Sequence, residues 1–123
     1  MNTKEYIIPQ KKVIAGIKAA AIDIKETLAE TRQWVKDMMF NIDNESLALL
    51  SIIDTELDRE EKEVSTIIKI TEKMEADIDT ASEINFKIIA TIATLQLQNL
   101  NTVVEKGLAV SNALNAFKAN SDQ

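Results

Sequence analysis

The chain has 123 residues and a formal net charge of −6, and it contains two glycines, one proline and no cysteine or histidine. So few turn-forming residues exclude a fold of many short strands, because each pair of strands would need a turn. The missing cysteine and histidine exclude disulfides, thiolate or imidazole metal ligands, and any catalytic triad that contains histidine.

The charges are distributed unevenly along the chain. Residues 1–40 hold seven basic and five acidic groups, residues 41–83 hold four and thirteen, and residues 84–123 hold three and two. A nucleic-acid-binding protein concentrates Lys and Arg on one face, whereas the most charged block here is acidic and repels phosphate. We therefore expect no nucleic-acid partner. The basic first segment and the acidic second segment attract each other weakly if they lie side by side.

The first predicted helix covers residues 10–40 and follows an a/d heptad stripe with one polar member, Thr31. Pro9 precedes the stripe, where a proline is tolerated at a helix start. Residues 1–9 are predicted to form an extended N-terminal arm, which either packs on the end of the helices or straps another subunit. The stripe consists of Ile14, Ile17, Ala21, Ile24, Leu28, Thr31, Val35, Met38 and Ile42.

The second predicted helix covers residues 45–78 and continues an a/d register. Asn41, Asp43 and Asn44 precede it and suit a turn or an N-cap. Glu60 interrupts the register, within an acidic stretch (residues 54–63) whose one large apolar residue is Leu57. Two interpretations compete there: a continuous helix with a solvated middle, and a break into two shorter helices. We favour the continuous helix because no Gly or Pro interrupts the stretch.

The third predicted helix covers residues 81–118, followed by a tail at 119–123. Thr80 and Glu83 have the spacing of a capping box, which predicts a turn at 78–80. The alternative is one helix that runs from 45 to 118 without a turn. Gly107 inside the third helix marks a kink, marks a close helix contact, or is simply tolerated at a cost of about 1 kcal/mol relative to Ala.

Three helices of this length joined by short links predict an all-α fold, an elongated antiparallel bundle or coiled coil in one domain at residues 10–118. Each helix would span roughly 45–55 Å.

The segment from Ile88 to Val104 carries no charge. On a helical wheel its apolar residues cover about two thirds of the circumference, wider than the apolar face of an ordinary surface helix. Contact with both other helices accounts for a broad apolar face, but the remaining stripe from Thr91 to Asn101 is uncharged as well. Charged residues are depleted at interface cores, so we expect this helix to mediate self-association. The predicted interface is Ile88, Ile92, Leu95, Leu97, Leu100, Val104, Leu108 and Leu114.

No pattern in the chain indicates an enzyme or a cofactor. With glycines at positions 16 and 107 alone, the sequence contains no Gly-rich phosphate loop and no nucleophile elbow. We therefore predict no catalytic, cofactor-binding or metal-binding residues. The carboxylates at positions 56, 58, 60, 61 and 63 spread around a helix axis and match no cation-binding loop, so we interpret them as a solvated acidic face.

The leading hypothesis is therefore a structural or assembly protein that forms a homo-oligomer or polymer. One alternative is an amphipathic protein that acts at a membrane or lipid surface, as a coat or a pore component. Another is a helical adaptor for a larger protein partner. The N-terminal residues lack the pattern of a secretory leader, which predicts a cytoplasmic protein or one exported without a cleaved signal peptide.

Overall fold

The computed structural model describes residues 5–121, and for residues 120 and 121 it describes the backbone alone. This part of the chain forms three long α-helices: α1 at Ile7–Met38, α2 at Asn44–Asp77 and α3 at Glu83–Ser121. A short 3₁₀ turn at Ile78–Thr80 lies between α2 and α3. The described residues contain no strand, and the all-α prediction is confirmed.

The helix α1 begins earlier than the sequence pattern predicted. Residues 7–9 belong to the helix instead of an extended arm, and Ile7 is buried in the core. Pro9 is the third residue of α1, where a missing N–H removes no helical hydrogen bond. Residues 1–4 of the predicted arm lie outside the described residues.

The turn between α1 and α2 uses the polar residues that the sequence places there. Asn41 adopts a left-handed backbone conformation with φ of 61°, which Asn tolerates better than most residues. Asp43 is the N-cap of α2, because its carboxylate accepts a hydrogen bond from the Ser46 backbone N–H at 3.1 Å. That hydrogen bond lowers the pKa of Asp43.

The helix α2 is continuous through residues 54–63, as we favoured from the sequence. Its middle is not fully solvated, however, because Leu57 and Glu60 are both buried.

The corner between α2 and α3 is capped by Ser82 and not by Thr80. The Ser82 side-chain oxygen accepts a hydrogen bond from the Asn85 backbone N–H at 3.2 Å. Thr80 instead ends the 3₁₀ turn, and its hydroxyl donates to the Asp77 carbonyl at 3.4 Å. The predicted turn at 78–80 is therefore correct, whereas the predicted capping box lies two residues too early. At its other end α3 continues to Ser121, through part of the predicted tail.

The core is formed by the predicted a/d stripes of α1 and α2. Every member of both stripes is buried or half-buried. The contact between α1 and α2 is much more extensive than the contact of α3 with either helix. Thus α1 and α2 form a tight antiparallel hairpin, and α3 lies along it. The α3 side chains buried against the hairpin are Ile89, Ala93, Gln96, Leu100, Val103 and Leu114.

Ion pairs join α1 to α2, and to the 3₁₀ turn that follows it, along most of the length of the hairpin. Lys11 pairs with Asp79 at one end, Lys18 pairs with Glu75, and Arg32 pairs with carboxylates further along. Among the described residues, none of the ion pairs joins α3 to α1 or α2. The attraction expected between the basic first segment and the acidic second segment is therefore present in the fold.

Gly107 marks no close helix contact. A Cβ atom built at this position meets nothing within 4 Å, so the glycine leaves open space beside α3.

Candidate interaction surface

The exposed apolar side chains of α3 lie on two flanks, one on each side of its buried face. Six large apolar residues of α3 remain 39–73% exposed although the helix packs on both α1 and α2. They are Ile84, Ile88, Leu95, Leu97, Val104 and Leu108. The uncharged polar stripe predicted from Thr91 to Asn101 is exposed between the two flanks.

The first flank borders α2 and is surrounded by charge. Ile88 lies beside Asp77 and Thr80, and Ile92, which is half-buried, lies beside Lys69 and Lys73. Leu95 follows Ile88 by seven residues and therefore occupies the same flank. Charged neighbours make this flank a poor core for an interface.

The second flank borders α1 and includes a groove that is lined by uncharged residues. Val104 and Leu108 line an apolar groove of about 180 Å³ together with side chains of α1. Leu97 precedes Val104 by seven residues and extends the same flank toward the start of α3. No charged side chain lines this groove, whose complete lining is Ile24, Thr27, Leu28, Thr31, Leu57, Val103, Val104, Gly107, Leu108 and Ser111. We call this surface the α1–α3 face, defined by its exposed or half-buried residues Ile24, Thr27, Thr31, Leu97, Val104 and Leu108.

The predicted interface is thus divided by the structure into three groups. Ile88, Ile92 and Leu95 lie on the flank next to α2, and Leu97, Val104 and Leu108 lie on the α1–α3 face. Leu100 and Leu114 are buried inside the chain's own core and are not surface residues, which corrects their assignment to the interface. Helical periodicity alone did not separate them, because the apolar residues of α3 cover most of its circumference.

Arg32 is the most heavily paired side chain between α1 and α2. Its guanidinium, in a side chain that is 20% exposed, donates to Asp54 at 3.1 Å, to Asp58 at 3.0 Å and to Glu61 at 3.4 Å. These hydrogen bonds and charges raise the pKa of Arg32 further, which keeps it fully cationic. The side of α1 that faces α2 is therefore held by charge, whereas the side next to α3 is apolar.

Glu60 is a further residue that the sequence interpretation placed wrongly. We expected it on a solvated acidic face, but the side chain is 0% exposed, and neither carboxylate oxygen has a hydrogen-bond partner among the described residues. The reason is its a/d position between Leu57 and Val64, both of which face the core. Burial is the main cause that raises the pKa of Glu60, with a further contribution from Glu56. The sequence did contain a signal for this burial: Glu60 occupies an a/d position of the heptad register. Such a position is buried when the apolar a/d residues on either side of it are buried.

The other carboxylates of the acidic stretch point to different partners. Asp58 and Glu61 pair with Arg32, and Glu56 pairs with Arg59 at 3.0 Å. Within the described residues, no group of three or more acidic side chains is arranged to hold a metal ion.

Comparison with known proteins adds no assignment. No protein-family model, no curated protein and no solved structure matches the chain. Within residues 5–121, none of the helices combines the length and the apolar character needed to cross a membrane.

Proposed function

We propose that this protein is a non-enzymatic helical assembly protein, which associates with copies of itself through the α1–α3 face. The observation that carries the proposal is the row of exposed apolar side chains, Leu97, Val104 and Leu108, beside an uncharged groove of α1. When a partner covers apolar side chains that are half-exposed in the folded chain, their removal from water favours binding.

A second copy of the chain is the occupant that the charge distribution favours. The chain carries a net charge of −6, and half of its acidic groups belong to α2. Two copies that met through α2 would bring like charges together. Two copies that meet through the α1–α3 face bury uncharged surface, and a two-fold contact would use each apolar residue twice.

Sedimentation velocity tests the proposal with a matched pair of variants. We expect the wild-type chain to sediment as an oligomer and Leu97→Lys to sediment as a monomer, because a lysine ammonium cannot be buried there without a partner. Gln98→Lys is the control: it adds the same charge at the adjacent position, on the exposed polar stripe, and should assemble like the wild type. Circular dichroism verifies that both variants keep the wild-type helix content.

Two outcomes would contradict the proposal. One is a wild-type monomer at high protein concentration, and the other is equal assembly of Leu97→Lys and Gln98→Lys. Ile88→Lys separates the two flanks, since it should leave assembly intact if copies meet through the α1–α3 face. A monomeric wild type that floats with liposomes would favour the lipid-surface function, and one that does not would favour an adaptor.

A further inference from the structure

Glu60 lies at the level of the bundle where α3 covers the α1–α2 hairpin. The ion pair of Arg32 with Asp58 fixes the antiparallel pairing of α1 and α2 near this level. Thr31, the one polar member of the α1 stripe, directly precedes Arg32 and is half-buried. The Thr31 hydroxyl donates within α1 to the Thr27 carbonyl at 2.9 Å, so it gives no hydrogen bond to the carboxyl.

No neighbouring helix provides a partner for the Glu60 carboxyl. On α2, Glu56 and Glu63 oppose its ionisation, and on α3 the charge of Lys106 favours it without forming an ion pair with it. On α1, the Arg32 guanidinium pairs with Asp54, Asp58 and Glu61 and forms no ion pair with Glu60. An ionised carboxylate in this position would be buried without hydrogen bonds, which is strongly unfavourable.

We propose that the docking of α3 onto the α1–α2 hairpin depends on a proton at Glu60, so that α3 is held tightly while this carboxyl is neutral and is released more readily when it ionises. The geometry supports α3 as the element that moves. The helix contacts the hairpin less extensively than α1 and α2 contact each other, and within the described residues it forms no ion pair with them. When α3 undocks, the carboxyl becomes hydrated and titrates at its ordinary pKa.

The direction of the effect follows from linkage. Below the ordinary pKa of Glu the carboxyl is protonated whether α3 is docked or not, and docking is at its strongest. As the pH rises above that value, the undocked state loses its proton while the docked state keeps it, so undocking becomes more favourable. The undocked population rises about tenfold per pH unit until the pH passes the raised pKa of the docked state.

Native-state hydrogen exchange between about pH 5 and pH 8 tests this mechanism independently of assembly. After correction for intrinsic exchange, we expect the amides of Ala93 and Leu100 in α3 to be less protected than those of Ala21 in α1 at every pH. We also expect their protection in the wild type to fall as the pH rises above the ordinary pKa of Glu, and to level off once the pH passes the raised pKa of the docked state. Glu60→Gln should make their protection independent of pH, because the amide does not ionise. Glu72→Gln, which neutralises an exposed carboxylate on the same helix, should behave like the wild type.

Three results would overturn the proposal. They are equal protection of the α3 and α1 amides, a wild-type profile that does not change with pH, and a Glu60→Gln profile that follows the wild type. Glu60→Leu provides a second test if Glu60→Gln does not fold, since an apolar side chain fits an a/d position and removes the same titration.

Discussion

Arg32 and Glu60 are ionisable side chains that are both largely withdrawn from water, and they differ in the partners that surround them. The Arg32 guanidinium pairs with three carboxylates across the α1–α2 contact. The Glu60 carboxyl has no hydrogen-bond partner among the described residues. A buried charge is tolerated when its hydrogen bonds are satisfied, and otherwise the group is neutralised instead. Arg32 therefore joins α1 to α2, and Glu60 makes the docking of α3 sensitive to pH.

Arg32→Ala is expected to destabilise the chain by about 1–2 kcal/mol, because it removes charge-assisted hydrogen bonds and leaves three carboxylates repelling one another. Arg59→Ala is the matched control. Arg59 is 63% exposed and, within the described part of the chain, pairs with Glu56 on its own helix, so its loss should cost less than about 0.5 kcal/mol. Urea unfolding monitored by circular dichroism measures both free energies of unfolding. The difference between Arg32→Ala and the wild type should shrink at acidic pH as Asp58, whose pKa Lys62 and Arg32 hold below its ordinary value, becomes protonated. Equal losses in the free energy of unfolding for the two substitutions would show that solvent screening leaves the Arg32 ion pairs no stronger than the exposed Arg59 pair.

At the scale of single helices, the ends were harder to derive from sequence than the interiors. The interior of α2 is specified by its a/d stripe, and the helix continues through the acidic stretch because each residue there tolerates a helix. The start of α3 depends on which of two hydroxyl residues points toward the first free N–H groups. Thr80 and Ser82 are both suitable caps by residue type, and the 3₁₀ turn that follows α2 decides in favour of Ser82.

Ser82→Ala is expected to lower the free energy of unfolding by about 1 kcal/mol, because the Asn85 N–H loses its side-chain acceptor. Thr80→Ala should cost clearly less, since the Thr80 hydroxyl forms one long hydrogen bond at an exposed position. Chemical denaturation of the two variants ranks them. If Thr80→Ala were the more destabilising of the two, the result would support the capping box of Thr80 and Glu83 that the sequence predicts.

At the scale of the whole molecule, the hairpin of α1 and α2 is the more tightly held part and α3 is the more loosely held part. The hairpin combines two matching apolar stripes with ion pairs along its length. The helix α3 contributes apolar contacts to the core and keeps apolar side chains exposed on both flanks. We therefore expect α3 both to contact other copies of the chain and to undock from the α1–α2 hairpin more readily than α1 and α2 separate.

If copies associate through α3, the melting temperature should depend on protein concentration. Binding between native copies stabilises the folded state by mass action, so we expect the midpoint to rise by about 2–4 °C for each tenfold increase in concentration. Leu97→Lys should remove this dependence, and Gln98→Lys should keep it. Calorimetric scans at several concentrations measure the effect, and a wild-type midpoint that stays constant would argue against self-association.

Much of the architecture was predictable because it depends on local properties of the chain. The lack of Gly and Pro, the heptad stripes and the polar residues at 41–44 predicted three long helices and the turn before α2. The start of α1 was not predictable in this way, because Ile7 and Ile8 join the helix only where the core accepts Ile7.

By itself, the sequence determined that α3 has far more apolar surface than a single helix contact can bury. Only the tertiary structure decided which of these residues are covered, placing Leu100 and Leu114 in the core and leaving Leu97, Val104 and Leu108 exposed. It also decided the position of Glu60, which is buried because the stripe on either side of it packs inward. The physical reason is the same in both cases: periodicity defines the residues that share a face, but the crossing of three helices defines which part of that face remains in contact with water.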